Sequence, residues 1–256
     1  MKRVVTALVL LPFIVWVILW ANYWVFVAVL ATLALLCFYE YEGIVDQHAV
    51  AKPGPFAYAV GIAVLFAPRI ELIFVVVVAL LTLALALRFN DMSDCLPWAG
   101  ALLLGLAYVF GCWHFALELR TLNPWWLLFA VALNWAGDIA AYYVGRAIGR
   151  HRLAPVVSPK KSWEGAIASV LASLAFAALF IPRALPSVPL WAGLVAGGAG
   201  NIAGQFGDLC ESALKRGAGL KDSGTLLPGH GGWLDRVDST LFAMPVVYAL
   251  ATWLGR

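Results

Sequence analysis

The chain has 256 residues, 63% of them hydrophobic and only 12% charged, with a mean hydropathy of +0.89. A soluble domain carries about 25% charged residues, so this composition excludes a water-soluble globule, a disordered chain, a nucleic-acid-binding surface and a disulfide-stapled secreted scaffold. The net charge of +3 is mild, and the placement of the cations matters more than their sum.

The expected fold is all-α: a polytopic integral membrane helical bundle of about nine transmembrane helices, with its amino terminus cytoplasmic. The first span runs from Val4 to Ala21 behind Lys2 and Arg3. It has the look of a signal peptide, but no A-x-A cleavage site follows and a second span begins at Trp24, so it reads as a retained helix. The others run approximately from Trp24 to Tyr39, Phe56 to Ala67, Leu72 to Leu87, Pro97 to Leu117, Pro124 to Val144, Gly165 to Ile181, Leu190 to Leu209 and Thr240 to Leu254. Asn22-Tyr23 and Pro68-Arg69 are tight connections, which makes the first four spans two helical hairpins.

With the amino terminus inside, only Arg69, Arg120, Arg183 and Arg256 fall outside, and every other Lys and Arg is cytoplasmic. This is the asymmetry that the positive-inside rule expects. Residues 1–95 read as amino-terminal transmembrane hairpins. Residues 96–256 read as a carboxy-terminal catalytic region with cytoplasmic loops 146–164 and 215–238. The pieces Glu40 to Pro55 and Arg88 to Asp94 are short and mixed in charge, which places the chemistry in the carboxy-terminal half. Cys37, Cys95, Cys112 and Cys210 are far apart and form no CxxC pair, so they read as apolar filler.

In the eighth span Gly193, Gly197 and Gly204 form a narrow stripe, with Gly200 close by, that lets helix backbones approach in lipid. The stripe ends at Asp208. An acid at membrane depth is costly enough to suggest function, and Glu211, Ser212 and Lys215 share its face. The bland alternative is a packing face closed by a Glu211–Lys215 ion pair.

Beyond it, Lys215, Arg216, Lys221, Asp222, Asp235, Arg236 and Asp238 surround a glycine-rich turn, Pro228-Gly-His-Gly-Gly232. Glycines let backbone amides approach phosphate oxygens, Lys and Arg neutralise phosphate charge, and Asp carboxylates hold a hard cation such as Mg2+. Asp235 and Asp238 are expected on one side of the ninth span, with Asp238 also available as its cap. The sum is a Mg2+-dependent polyphosphate site at the membrane surface.

The other loop contains Ser158-Pro-Lys-Lys-Ser-Trp-Glu-Gly165. Lys160 and Lys161 are candidates to grip phosphates, and Ser162 to cap the seventh span, with Glu164 in its first turn. The alternative is a positive-inside anchor with Trp163 at the interface. Asp138 is either a polar contact of the bundle or part of the site. His230 reads as a phosphate contact or loop support, because an anionic phosphate monoester needs no strong base.

The pattern Ser212-x-Leu-Lys-Arg-x4-Lys-Asp-x-Gly-x2-Leu-x-Pro-Gly-His-Gly-Gly-x-Leu-Asp-Arg-x-Asp238 resembles the signature of the phosphatidate cytidylyltransferase (CDP-diacylglycerol synthase) family, and Ser158 to Gly165 looks like that family's second motif. Trp233 stands where a smaller aliphatic residue is usual, and Gly217 where an acidic one is common. The resemblance implies transfer of a cytidylyl group from CTP to phosphatidate by an all-helical membrane homodimer. Asp208 and Asp235 would hold Mg2+, with K+ as a companion ion. Catalysis would fall to Asp208, Asp235, Asp222, Lys221 and Asp238. Lys160, Lys161, Ser212, Lys215, Arg216, His230, Gly231, Gly232 and Arg236 would contact CTP and the lipid phosphate.

The expected setting is a bacterial inner membrane, among membrane lipids, with the active site facing the cytoplasm and no nucleic-acid partner. The rival enzyme is a CTP-dependent polyprenol or lipid kinase. A transporter would also bury Asp138 and Asp208, but it would show repeated halves with broken helices.

Overall fold

The structure, a computed structural model, describes residues 2–68, 72–227 and 231–254, with side chains from Leu10 onward. Its helices are α1 (Lys2–Leu19), α2 (Tyr23–Gln47), α3 (Pro55–Leu65), α4 (Leu72–Ala86), α5 (Cys95–Gly105), α6 (Cys112–Leu122), α7 (Pro124–Ile148), α8 (Trp163–Ala184), α9 (Leu190–Gly217) and α10 (Leu234–Leu254). A π-helical turn, Leu106–Gly111, joins α5 to α6, so Met92–Leu122 is one continuous rod. That turn brings Tyr108 against Phe242 of α10 and Phe110 against Phe38 of α2.

Local chemistry accounts for several boundaries. Asn22 accepts from Val25 N at 2.9 Å to start α2, and Asn123 accepts from Trp125 N at 3.0 Å to start α7, with Pro124 at its first position. Ser162 accepts from Gly165 N at 3.2 Å and caps α8, as the sequence predicts. At the other end of α9, Leu220 N donates to Lys215 O (2.8 Å) and Gly219 N to Arg216 O (3.0 Å), with Gly219 at φ +69. This is a Schellman stop, and the left-handed residue is a glycine because a Cβ would be strained there.

Among the described residues five helices are long and apolar enough to cross a membrane: Tyr23–Gln47, Met92–Leu122, Pro124–Ile148, Trp163–Ala184 and Leu234–Leu254. Leu10–Leu19, Pro55–Leu65 and Leu72–Ala86 are apolar but short. The 28-residue α9 is outside both groups because its glycines and charged end dilute its hydropathy. An all-α membrane protein therefore fits, with three differences from the sequence reading, the first being that α2 continues past Tyr39 to Gln47, so Glu40 is helical.

Arg152–Ala154 (β1) and Ser158–Ser162 (β2) form a two-stranded antiparallel hairpin between α7 and α8. The ninth helix-forming run also starts at Leu234, six residues before Thr240. Asp238 consequently lies in the second turn of α10 and does not cap it.

α9 is the axis of the carboxy-terminal half, flanked by α7, α8 and α10. Its glycine stripe explains this placement. A Cβ at Gly193 would meet Ile181 of α8, one at Gly200 would meet Val247 of α10 and Leu133 of α7, and one at Gly207 would lie 2.6 Å from Asp238 O. The closeness is reinforced by buried polar bonds: Asn201 Nδ2 donates to Ser169 Oγ at 3.0 Å, and Ser173 Oγ to Leu133 O at 2.8 Å. One hydrophobic core runs from Val17 in α1 to Ala251 in α10.

Candidate active site

The site is assembled at the end of α9 nearest Gly217. Asp208, half-buried on that helix, accepts an ion pair from Lys161 of β2 (Nζ to Oδ2, 2.5 Å) and a hydrogen bond from Ser212 Oγ to Oδ1 (3.3 Å). Strand alternation separates the two adjacent lysines: Lys161 turns inward and Lys160 is exposed. Only Lys161 reaches the acidic cluster. Glu164, in the first turn of α8, accepts from His151 Nδ1 at 2.7 Å and fastens the hairpin to that helix.

One turn further along α9, Lys215 is buried and forms ion pairs with Glu211, one turn before it, and with Asp235 of α10 (Nζ to Oδ1, 2.5 Å). The expected Glu211–Lys215 pair is present, and Asp235 joins it. The other oxygen of Asp235 accepts from Gly232 N (2.8 Å) and Ser223 N (2.9 Å). Asp138 of α7 and Asp238 of α10 lie within electrostatic reach of Asp208, with Lys161 and Arg236 as compensating cations around Asp138. Asp138, left open in the sequence between a bundle contact and a site residue, thus lies within reach of the cluster's charges. Asp238 Oδ1 accepts from Ser239 N at 2.7 Å.

Lys221, Asp222, Arg216 and Arg236 are exposed. Arg216 Nη1 donates to Leu220 O at 2.8 Å, which stiffens the turn after α9. Gly231 has φ +79 and pairs with Leu227, whose N–H donates to Gly231 O at 3.0 Å. His230, Arg69 and Arg256 lie outside the described residues.

The sequence reading assigned no role in the site to residues 1–95, yet one carboxylate from there reaches the glycine-rich loop. Glu40 of α2, 2% exposed, accepts from Ser223 Oγ (Oε2, 3.0 Å), Trp233 N (Oε1, 3.0 Å) and Leu234 N (Oε2, 2.8 Å). A Cβ at Gly224 or Gly232 would collide with it. The space those glycines leave is filled by a carboxylate of the same chain. Nearby, His48 Nε2 lies 3.0 Å from Leu214 O, and its ring occupies the place where a side chain at Gly217 would begin. The glycine at 217 thus admits the end of α2. The available signal was Glu40 and Glu42 at the end of a strongly apolar helix, and nothing in their spacing pointed to residues nearly two hundred positions away.

The chain matches the sequence profile of the Cytidylyltransferase family over residues 1–254. The chain belongs to that family. Within this cytidylyltransferase family it is similar to three proteins named phosphatidate cytidylyltransferase. That of Bacillus subtilis is 40% identical over 154 residues, covering 59% of this chain and 57% of the relative. That of Staphylococcus saprophyticus is 38% identical over 162 residues, covering 63% and 60%. That of Haemophilus influenzae is 37% identical over 196 residues, covering 70% and 68%. The chain therefore spans about three fifths of the length of the first two relatives.

The resemblance implies a Mg2+ between Asp208 and Asp235. Asp208 has the hard carboxylate oxygens that Mg2+ takes, and Asp138 and Asp238 act on it only through their charge. Asp235 does not fit, because Lys215 and two backbone N–H groups occupy both its oxygens. Among the described residues no group of three or more His, Cys, Asp or Glu side chains is disposed to hold a metal. As these side chains stand, the pair is an ion-paired scaffold.

Proposed function

We propose that this chain transfers the cytidylyl group of CTP to phosphatidate, forming CDP-diacylglycerol and pyrophosphate in phospholipid biosynthesis. The observation that carries this reading is the meeting of two ammonium–carboxylate pairs, Lys161–Asp208 and Lys215–Asp235, on one end of α9. Each pair draws one partner from a motif-bearing segment outside α9. The names of the similar proteins support the same activity. The proposal places nine spans in a bacterial inner membrane as a homodimer, with the amino terminus and site cytoplasmic, and the distribution of Lys and Arg supports that orientation.

An oxygen of the lipid phosphate attacks the α-phosphorus of CTP in line. The bond from that phosphorus to the bridging oxygen breaks, and its electron pair leaves on pyrophosphate. The attacking phosphate is already anionic, so the chain supplies charge and orientation in place of a strong base. Lys161, with Lys160, Arg216, Lys221 and Arg236 at the exposed rim, offsets the repulsion between two anionic substrates. Ser212, His230 and the backbone at Gly231 contact phosphate oxygens, while Asp222 and Asp238 orient the cations; Gly232, expected to join them, has its N–H taken by Asp235 instead. Lys215 holds Asp235 in place. Mg2+ belongs to the proposal through the oxygen-donor chemistry of Asp208, where it would neutralise phosphate charge; K+ belongs to it through the family resemblance.

Purified protein in mixed micelles with CTP, phosphatidate and Mg2+ is expected to release pyrophosphate only when phosphatidate is present. Asp235→Asn, inserted and folded like the wild type, is expected to lose that release. Near-normal turnover by Asp235→Asn would remove this residue from the mechanism, and CTP turnover independent of phosphatidate would refute the reading.

A further inference from the structure

Glu40 lies outside both motifs, yet its two oxygens accept three hydrogen bonds from the loop that precedes Asp235. It makes no ion pair among the described residues. Its charge is met by N–H groups at the start of α10, where the aligned peptide dipoles favour an anion and the first-turn donors lack partners within the helix.

The geometry links Glu40 to Asp235 through shared neighbours. Ser223 donates its hydroxyl to Glu40 and its N–H to Asp235 Oδ2, while Asp235 N donates back to Ser223 Oγ at 3.4 Å. Leu234, held by Glu40, immediately precedes Asp235 in the chain. Gly232 donates to Asp235 and leaves no room for a Cβ between Ser223 and Glu40. Glu40 and Asp235 thus grip the same two segments, residues 223–224 and 231–234, from opposite sides.

We propose that Glu40 is a positioning residue for cytidylyl transfer: by clamping Ser223 and the first turn of α10 from α2, it sets where Asp235 and Lys215 stand. This role rests on the transfer reading above. It gives the amino-terminal half a share in the chemistry without contact with substrate.

Glu40→Gln is the direct test, because it keeps the size but turns one acceptor into a donor facing other donors. The folded variant, matched to wild type by elution in detergent, is expected to lose about tenfold or more in kcat, since displacements near 1 Å at a reacting centre have effects of that order. KM for both substrates should stay nearly constant. Hydrogen exchange at the Trp233 and Leu234 amides should quicken, while exchange in the rest of α10 is unaltered. A purely structural role would lower the unfolding temperature and leave kcat per folded molecule unchanged, and that result overturns the proposal, as does unaltered exchange at these two amides. Should Glu40→Gln fail to fold, Ser223→Ala decides: a smaller fall in kcat with the same exchange signature is expected, and wild-type turnover overturns the proposal. An inactive wild type would sink the transfer reading, whereas an active wild type with an equally active Glu40→Gln sinks only the role of Glu40.

Discussion

Lys215 has its ammonium buried between Glu211 and Asp235, whereas Lys161 reaches Asp208 from a half-exposed position on β2. The two lysines should respond differently to removal. Lys215→Met leaves two buried carboxylates without their cation and is expected to destabilise the protein by about 3–5 kcal/mol, seen as a large drop in unfolding temperature in detergent. Lys161→Ala breaks a pair that water already screens and should cost less than about 1 kcal/mol, while turnover falls steeply. Equal loss of stability in the two variants would contradict this division into a scaffold lysine and a substrate-facing one. The residue types of the cluster were legible in the sequence, because charge is rare in this chain and its concentration in two loops stands out. The difference between Lys160 and Lys161 was not, since it follows from strand pairing with Arg152–Ala154, and three residues of strand carry too little periodicity to announce themselves.

Among the elements, α9 shows how a helix too polar to pass as an ordinary span is held in the bundle by the neighbours its glycines admit. Gly207→Ala places a Cβ 2.6 Å from Asp238 O of α10. The overpacking should cost about 1–3 kcal/mol, lower the unfolding temperature and displace Asp238 from the cluster. Gly100→Ala on α5, where nothing lies within 4 Å of the new atom, should leave the unfolding temperature unchanged or slightly raised. A stable Gly207→Ala would show that α9 and α10 are less tightly joined than the geometry requires. The glycine spacing in α9 was readable from the sequence, since one small residue per turn is the signature of close helix approach. The start of α10 was not, because Glu40 and Asp235 satisfy the donors there, and one of them comes from another helix.

At the scale of the whole molecule, the amino- and carboxy-terminal halves share one core, and α2 reaches the carboxy-terminal half through Glu40 and His48. The proposed orientation is open to direct labelling: a cysteine at Asp222 should react with an impermeant thiol reagent only when the cytoplasmic face is exposed, and one at Ser187 only from the opposite face. Reaction of both from one side would overturn the span count. The central claim concerns which bond of CTP breaks. Purified protein is given phosphatidate and CTP labelled separately on the α- or the γ-phosphate. The account predicts that α-label enters the lipid and γ-label leaves as pyrophosphate; γ-label entering the lipid with release of CDP would contradict it.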